Sequence, residues 1–354
     1  MSIKINNREY TKEELYSYFG DFSAIAGIRR YTLSEGKSKD CDIIEVTTGT
    51  GLIFEINATR GMDLGRCSYN SIPISYQGYN REVHPSYYEI FSDGWLRNFG
   101  GGLLVTCGLK STGKNEVDNG EILPLHGRIS NIPAERVNIV EDWKDDKLFF
   151  EISGKIRESK ALHYNLELNR TISIEAGTNK ILITDTVENL GFEDQEMMIL
   201  YHFNIGHPII DECSRLITNS ETVTPRDKDA EEQNEKYYEY CKPTKGYKDI
   251  VYYHKLNDKN GISSAVIVNE ELGLGIGLKF NKEELDCFNQ WKFTNLGNYV
   301  AGIEPGNAFV NGRSIERQEG RLKIIKAREK KEFKLEIELL TNQNEINSYK
   351  KDNF

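Results

Sequence analysis

Between Glu135 and Asn204 the chain alternates apolar and polar residues in one run after another, with only short polar turns between them. The runs are Val137–Val140, Leu148–Ile156, Leu162–Ile174, Lys180–Glu188 and Glu196–Asn204, and Lys180-Ile-Leu-Ile-Thr-Asp-Thr-Val187 shows the pattern most cleanly. A period of two puts successive side chains on opposite faces of a strand, and short turns make consecutive strands pair antiparallel. So many strands exceed one small sandwich and predict an all-β protein of large antiparallel sheets. Further strands are expected at Tyr237–Cys241, Ile250–His254, Ser264–Val268, Gly273–Phe280, Cys287–Phe293 and Tyr299–Glu304. Two closing strands, Arg321–Ala327 and Glu332–Leu340, carry lysines as sheet edges do.

The start of the chain differs. Thr11-Lys-Glu-Glu14 has the spacing of a capping box and predicts a short helix to about Tyr18. Asp42–Thr47 and Leu52–Asn57 then flank Thr48-Gly-Thr-Gly51 as a hairpin. Residues 1–35 are expected to form a helical extension packed on a β unit spanning 36–341. The charged stretch Thr224–Lys236 reads as an exposed loop, and the polar tail 342–354 as disordered.

Composition excludes several classes. The net charge is −10, with both signs mixed along the chain, which argues against a nucleic-acid partner. The six cysteines lack CxxC spacing, so neither a zinc module nor a dense disulfide framework is expected. No run approaches the roughly 18 apolar residues of a membrane helix, and the N-terminus lacks a signal-like apolar segment. The expectation is a soluble, reduced, cytoplasmic protein. Its oligomeric state stays open, a homodimer among the options.

Three polar constellations stand out on this β background. In Ile199-Leu-Tyr-His-Phe-Asn-Ile-Gly-His-Pro208, alternation sets Ile199, Tyr201, Phe203 and Ile205 on one face and His202 and Asn204 on the other. Such a strand is a rigid mount for a polar site, although a lone strand histidine is more often only structural. His207, five residues on, falls to the opposite side of a regular strand and is read as supporting structure. In Leu123-Pro-Leu-His-Gly-Arg-Ile-Ser-Asn-Ile-Pro133, His126 and Arg128 lie on a loop and offer donors to hydroxyls or an anion. In Ala301-Gly-Ile-Glu-Pro-Gly306, Glu304 ends an apolar strand before Pro305, which sets a carboxylate at a sheet rim. Just upstream, Trp291 offers a ring for a pyranose, between Gln290 and Lys292 as hydrogen-bonding heads. Arg60-Gly-Met-Asp63 is a weaker signal, as easily a surface ion pair as a binding pair.

At these residues the chain resembles the galactose mutarotase-like superfamily, and most closely its aldose 1-epimerase-related branch of DUF4432-type proteins. The resemblance rests on Arg60-Gly-Met-Asp63, Gly101-Gly-Leu-Leu-Val-Thr-Cys-Gly108, Leu125-His-Gly-Arg-Ile-Ser-Asn-Ile-Pro-Ala134, Tyr201-His-Phe-Asn204 and Ile303-Glu-Pro305. It implies a β-supersandwich with a sugar cleft on a concave face. It further implies cofactor-free exchange of sugar anomers, with His202 as acid, Glu304 as base and His126 holding the sugar. Arg60, Asp63, Arg128, Asn204 and Trp291 are expected beside them. No residue matches the aspartate that binds sugar hydroxyls in mutarotases, and Gln290 or Lys292 is the expected replacement. A carboxylate near 4.3 and an imidazole near 6.5 suit base and acid roles at neutral pH. Two other functions remain open: a carbohydrate-binding or regulatory protein that kept the cleft without turnover, and a metal enzyme using His126, His202 and Glu304. The latter lacks any HxH or HExxH spacing.

Overall fold

The computed structural model describes residues 3–5 and 8–354. Three large antiparallel sheets dominate it, and the family expectation of a mostly-β sandwich is met. Four of the five alternating runs join four later strands in an eight-stranded sheet, in the order Glu135–Lys144, Lys147–Lys160, Tyr164–Glu175, Lys180–Asn189, Lys330–Leu340, Leu274–Asn281, Ile262–Asn269, Ser214–Thr218. The hairpin Asp42–Thr48/Leu52–Asn57 lies within a five-stranded sheet that also holds Asp63–Tyr69. A third sheet, the cleft sheet, runs Ser220–Pro225, Ile250–Leu256, Cys287–Asn295, Asn298–Gly306, Gln195–Gly206, with Lys323–Ile325 and Leu104–Leu109 also paired to Gln195–Gly206.

One continuous apolar cluster joins the three sheets. Ile199, Tyr201, Phe203 and Ile205 all enter it, as their alternation predicted, while Phe280 of the eight-stranded sheet stacks on Phe288 of the cleft sheet at 6.1 Å. The N-terminal helix Lys12–Tyr18 carries the full capping box of Thr11 and Glu14. Among the described residues no helix is long and apolar enough to cross a membrane.

Four sequence expectations change. Lys330–Leu340 is not an edge: it pairs with Lys180–Asn189 and Leu274–Asn281, and Lys330 and Lys334 occupy the outward face. Residues 237–241 form turns rather than a strand, with only an isolated bridge at Glu239. Within Thr224–Lys236, residues up to Pro225 close an edge strand, and the helix Lys228–Glu231 follows. The polar tail folds into the helix Gln343–Asn353, capped by Asn342, because Ile346 and Tyr349 recur at a helical spacing and are buried.

Candidate functional site

In an antiparallel pair, directly opposed residues project to the same face. The registers of the cleft sheet therefore define rows across it. The pairing of Phe203 with Ile303 sets His202 opposite Glu304, and the row continues through Asn289 and Tyr253 to Thr224. The next row holds Asn204, Gly302, Trp291 and Val251. The ladder between the two central strands lapses where Tyr201 and His202 face Glu304 and Pro305, since Pro305 has no N–H to give. Glu304 is thus not at a rim, as its place before a proline suggested, but on the floor in mid-sheet.

The His202 Nε2 atom lies 3.3 Å from Glu304 Oε1, and both side chains are buried. Glu304 Oε1 makes no hydrogen bond within the chain. It reaches this place by folding back over Gly302, where an added Cβ would stand 2.2 Å from that oxygen. His126 comes from its loop, edge-on to His202 at 5.5 Å between ring centroids and against Trp95 at 4.8 Å. Its backbone is left-handed, with φ 57°, and its Nδ1 accepts from Gly113 N at 3.4 Å. Gly127 follows because a Cβ there would meet Gly108 O at 2.2 Å. Phe99 and Trp291 close the ring around His202 at 5.9 and 5.4 Å. These groups line a cleft of about 1530 Å³.

Burial sets the protonation of the pair. It pushes the Glu304 carboxyl well above its ordinary range, helped by the charge of Asp249. It pushes the His202 imidazole down to about 4, partly offset by Asn204, and His126 down to about 3, with His202 adding to the effect. The textual values of free carboxylate and imidazole therefore do not apply. Both shifts favour the uncharged forms of the two groups.

The structure brings His126, His202, Glu304 and Trp291 into one cleft. The other expected contacts lie elsewhere. Arg60 is buried and donates to Val83 O at 2.8 Å. Asp63 accepts from Thr106 and from Arg170 beneath the cleft sheet. Gln290 and Lys292 project from the opposite face of the strand to Trp291: Gln290 joins His254 and Tyr237 O, and Lys292 donates to Lys236 O. Asn204 sits behind His202, donating to Gly102 O and His202 O. Arg128 donates to Ile122 O. None of these six lines the cleft; all but Arg128, whose bond to Ile122 O is exposed, have polar partners inside the fold. His207 is exposed, edge-on to Tyr299.

Asp249 was not singled out from the sequence. It lies at the start of Ile250–Leu256, accepts from Trp291 Nε1, and pairs with Arg226 at 3.0 Å. It lines the cleft, as Asp286 and Glu319 also do, and nothing in its local sequence marks it. Among the described residues no group of three or more His, Cys, Asp or Glu side chains is arranged to hold a metal ion.

Comparison with known proteins agrees with this architecture. A structure from Klebsiella pneumoniae subsp. pneumoniae MGH 78578, whose aldose 1-epimerase name is itself provisional, superposes with a TM-score of 0.88 at 26% identity, covering 92% of this chain and 86% of that one. A galactose mutarotase-like protein of Clostridium acetobutylicum gives 0.62 at 15% identity over 90% and 99% of the two chains. A galactose 1-epimerase of Lactobacillus acidophilus NCFM gives 0.59 at 12% over 90% and 100%. The last two likenesses speak to the fold. No curated protein matches the sequence significantly. Residues 38–339 match the model of the family described as domain of unknown function DUF4432, and the chain belongs to that family.

Proposed function

We propose that the protein interconverts the anomers of a reducing sugar, as an aldose 1-epimerase does, with Glu304 and His202 as its acid/base pair. The observation that carries this reading is the approach of His202 Nε2 to Glu304 Oε1 at 3.3 Å on the floor of an aromatic cleft. Anomer exchange needs the C1 hydroxyl to lose its proton while the ring oxygen gains one. The ring opens to an aldehyde, the C1–C2 bond rotates, and closure reverses both transfers. A pair that holds one proton can serve both atoms, the protonated member acting as acid and the other as base. No charged intermediate has to persist in the apolar cleft. For His202 to act as acid and Glu304 as base in the opening direction, as the resemblance has it, the pair's proton sits on His202; burial favours it on Glu304, which gives the same exchange with the roles reversed. His126 and Asp249 stand where they would bond sugar hydroxyls, and the Trp291 ring where it would cover a pyranose face. The names of the structural neighbours, aldose 1-epimerase and galactose mutarotase-like, point to the same substrate class.

The test follows anomer exchange by NMR or polarimetry over a panel of free aldoses. Glu304→Gln keeps the shape but cannot take up or release the proton, and His202→Asn likewise cannot relay one. Each is expected to lower kcat by about 100- to 10,000-fold, the usual weight of one acid/base group, while sugar binding persists. A wild type that binds sugars but never exchanges their anomers would make this a binding protein. An active Glu304→Gln enzyme would remove Glu304 from the chemistry.

A further inference from the structure

Four of the six cysteines, Cys41, Cys67, Cys107 and Cys287, are buried, and burial pushes each of their thiols up. Cys213 and Cys241 are the two that reach solvent. They lie far apart in the chain, and neither has a part in the acid/base site.

The fold brings these two together. Ser214–Thr218, the last strand of the eight-stranded sheet, meets the stretch after Lys236 along its outer side. Leu216 N donates to Tyr238 O at 2.9 Å, and Arg215 bridges to Glu239 in antiparallel register. The same two residues form an ion pair at 3.6 Å. Continued by two residues, this register sets Cys213 opposite Cys241, and one step further it sets Glu212 opposite Lys242. That last pair is itself an ion pair of 3.6 Å, so the two segments still run side by side at the cysteines. Opposed residues in an antiparallel ladder alternate between bonded and non-bonded pairs. Leu216 and Tyr238 are a bonded pair, so Cys213 and Cys241 fall at a non-bonded one, the type whose Cα atoms stand about 4.5 Å apart. A disulfide spans about 4.4–6.8 Å between Cα atoms, and the register meets that demand.

Access favours the same two residues. Cys241 is exposed, and Cys213 lines a cavity of about 400 Å³ together with Arg215, Tyr238 and Glu270. Glu271 holds the Cys213 thiol above its ordinary value, which makes Cys241 the first to react. Cys241 Sγ rests 3.1 Å from Thr294 Oγ1, so closing a bond to Cys213 takes a rotation about its Cα–Cβ bond. We infer that Cys213 and Cys241 form a reversible disulfide, by exchange with a low-molecular-weight disulfide, that staples the segment between them. The Cys241 thiolate attacks one sulfur of the small disulfide and expels the other half. Cys213, as thiolate, then attacks the Cys241 sulfur of the mixed disulfide and expels the second half. Two protein thiols are oxidised to one disulfide, one small disulfide is reduced to two thiols, and the two protons pass to the thiols released. The ring so closed holds the edge strand Ser220–Pro225 and Arg226, whose partner Asp249 lines the cleft. It fastens the edge of the eight-stranded sheet to the back of the cleft sheet, where the Tyr299 hydroxyl donates to Cys241 O at 2.6 Å.

The test incubates the native full chain with oxidised glutathione at mildly alkaline pH, blocks the remaining thiols and maps the peptides by mass spectrometry. One cross-link within the chain, Cys213 to Cys241, is expected, with the four buried thiols intact and no glutathione retained. Dithiothreitol should reverse it. The cross-linked chain should melt a few degrees above the reduced one, because the bond restricts the unfolded chain. Cys213→Ser and Cys241→Ser should each abolish the cross-link and leave glutathione on the cysteine that remains. Glutathione on both cysteines of the wild type without a cross-link would overturn the inference. So would no reaction at all, or a bond to a buried cysteine or to a second chain. A melt unchanged by the cross-link would overturn the staple.

Discussion

An alanine at position 302 would place its Cβ 2.2 Å from Glu304 Oε1 and 2.9 Å from the Trp291 Cβ. The strand backbone there is ordinary, so the glycine is required by the carboxylate above it rather than by its own torsions. Gly302→Ala is expected to push the Glu304 side chain out of reach of His202 and lower kcat by about 100-fold or more, with a much smaller change in KM. The fold should survive, at a cost of about 1–3 kcal/mol for overpacking. Steady-state kinetics beside a thermal melt check this; an unchanged kcat would show that the 3.3 Å approach is not needed. The same pair sets the pH response. Below about 4 His202 takes a second proton and the pair has no base. Above the raised value of Glu304 the proton is lost and the pair has no acid. Activity should therefore hold from below the raised value of Glu304 down to about 4, whereas an ordinary imidazole would bring the acid limb in near 6.5. A kcat–pH profile distinguishes the two. At this scale the sequence was informative where a residue sat in a patterned context, as His202 on its alternating strand and Trp291 beside Glu304. It misled at Arg60, Asp63, Gln290 and Lys292, because a polar side chain satisfied inside the fold and one aimed at a ligand look alike in one dimension.

Strand alternation made the eight-stranded sheet legible, since Lys147–Lys160, Tyr164–Glu175 and Lys180–Asn189 keep one buried face over many residues. Strand order was not legible. Lys330–Leu340 reads as an edge from its lysines, yet it inserts between Lys180–Asn189 and Leu274–Asn281, a pairing of distant segments that no local pattern encodes. For the same reason Asp249 escaped notice: it meets Trp291 only because the register pairs Val251 with that residue. The closing helix Gln343–Asn353 was hidden by its polarity, because two side chains carry its apolar attachment. Ile346 and Tyr349 close a small cluster with Val266, Val268 and Leu340, and the Tyr349 hydroxyl donates to Leu278 O at 2.9 Å. Tyr349→Ala should cost about 3–5 kcal/mol, as for other buried aromatic truncations, and fray the helix. Urea unfolding measures the loss, and hydrogen exchange at residues 343–353 reports the fraying. A variant as stable as wild type would show the helix to be loosely attached.

Across the whole molecule, the three sheets meet at one side chain. Arg170 is fully buried on the eight-stranded sheet and grips Asp185 beside it through two bonds of 2.9 and 2.6 Å. Its remaining donors reach Asp63 of the five-stranded sheet at 3.0 Å and the Thr106 hydroxyl of the cleft sheet at 2.9 Å. Tyr201, next in chain to His202, donates to Asp185 at 2.8 Å. Asp63 in the Arg-Gly-Met-Asp motif thus fastens the scaffold beneath the cleft. Arg170→Met fills much of the same volume but leaves two carboxylates buried without their cation. Removing one partner of a buried ion pair typically costs about 3–5 kcal/mol. The loss should depend on pH, with a definite sign. Burial already raises the Asp63 carboxyl, and the Arg170 charge holds it down; without Arg170 it rises further. A carboxyl whose folded value lies above its unfolded value favours folding while protonated, and that contribution is lost as pH rises through the folded value. The stability gap between wild type and Arg170→Met should accordingly be smaller at pH 5 than at pH 8. Adding Asp63→Asn and Asp185→Asn should recover part of it at pH 8, since the neutral amides no longer need the cation. Urea titrations of the three proteins at both pH values provide the measurement. An equal gap at both would place the cost in packing rather than in stranded charge.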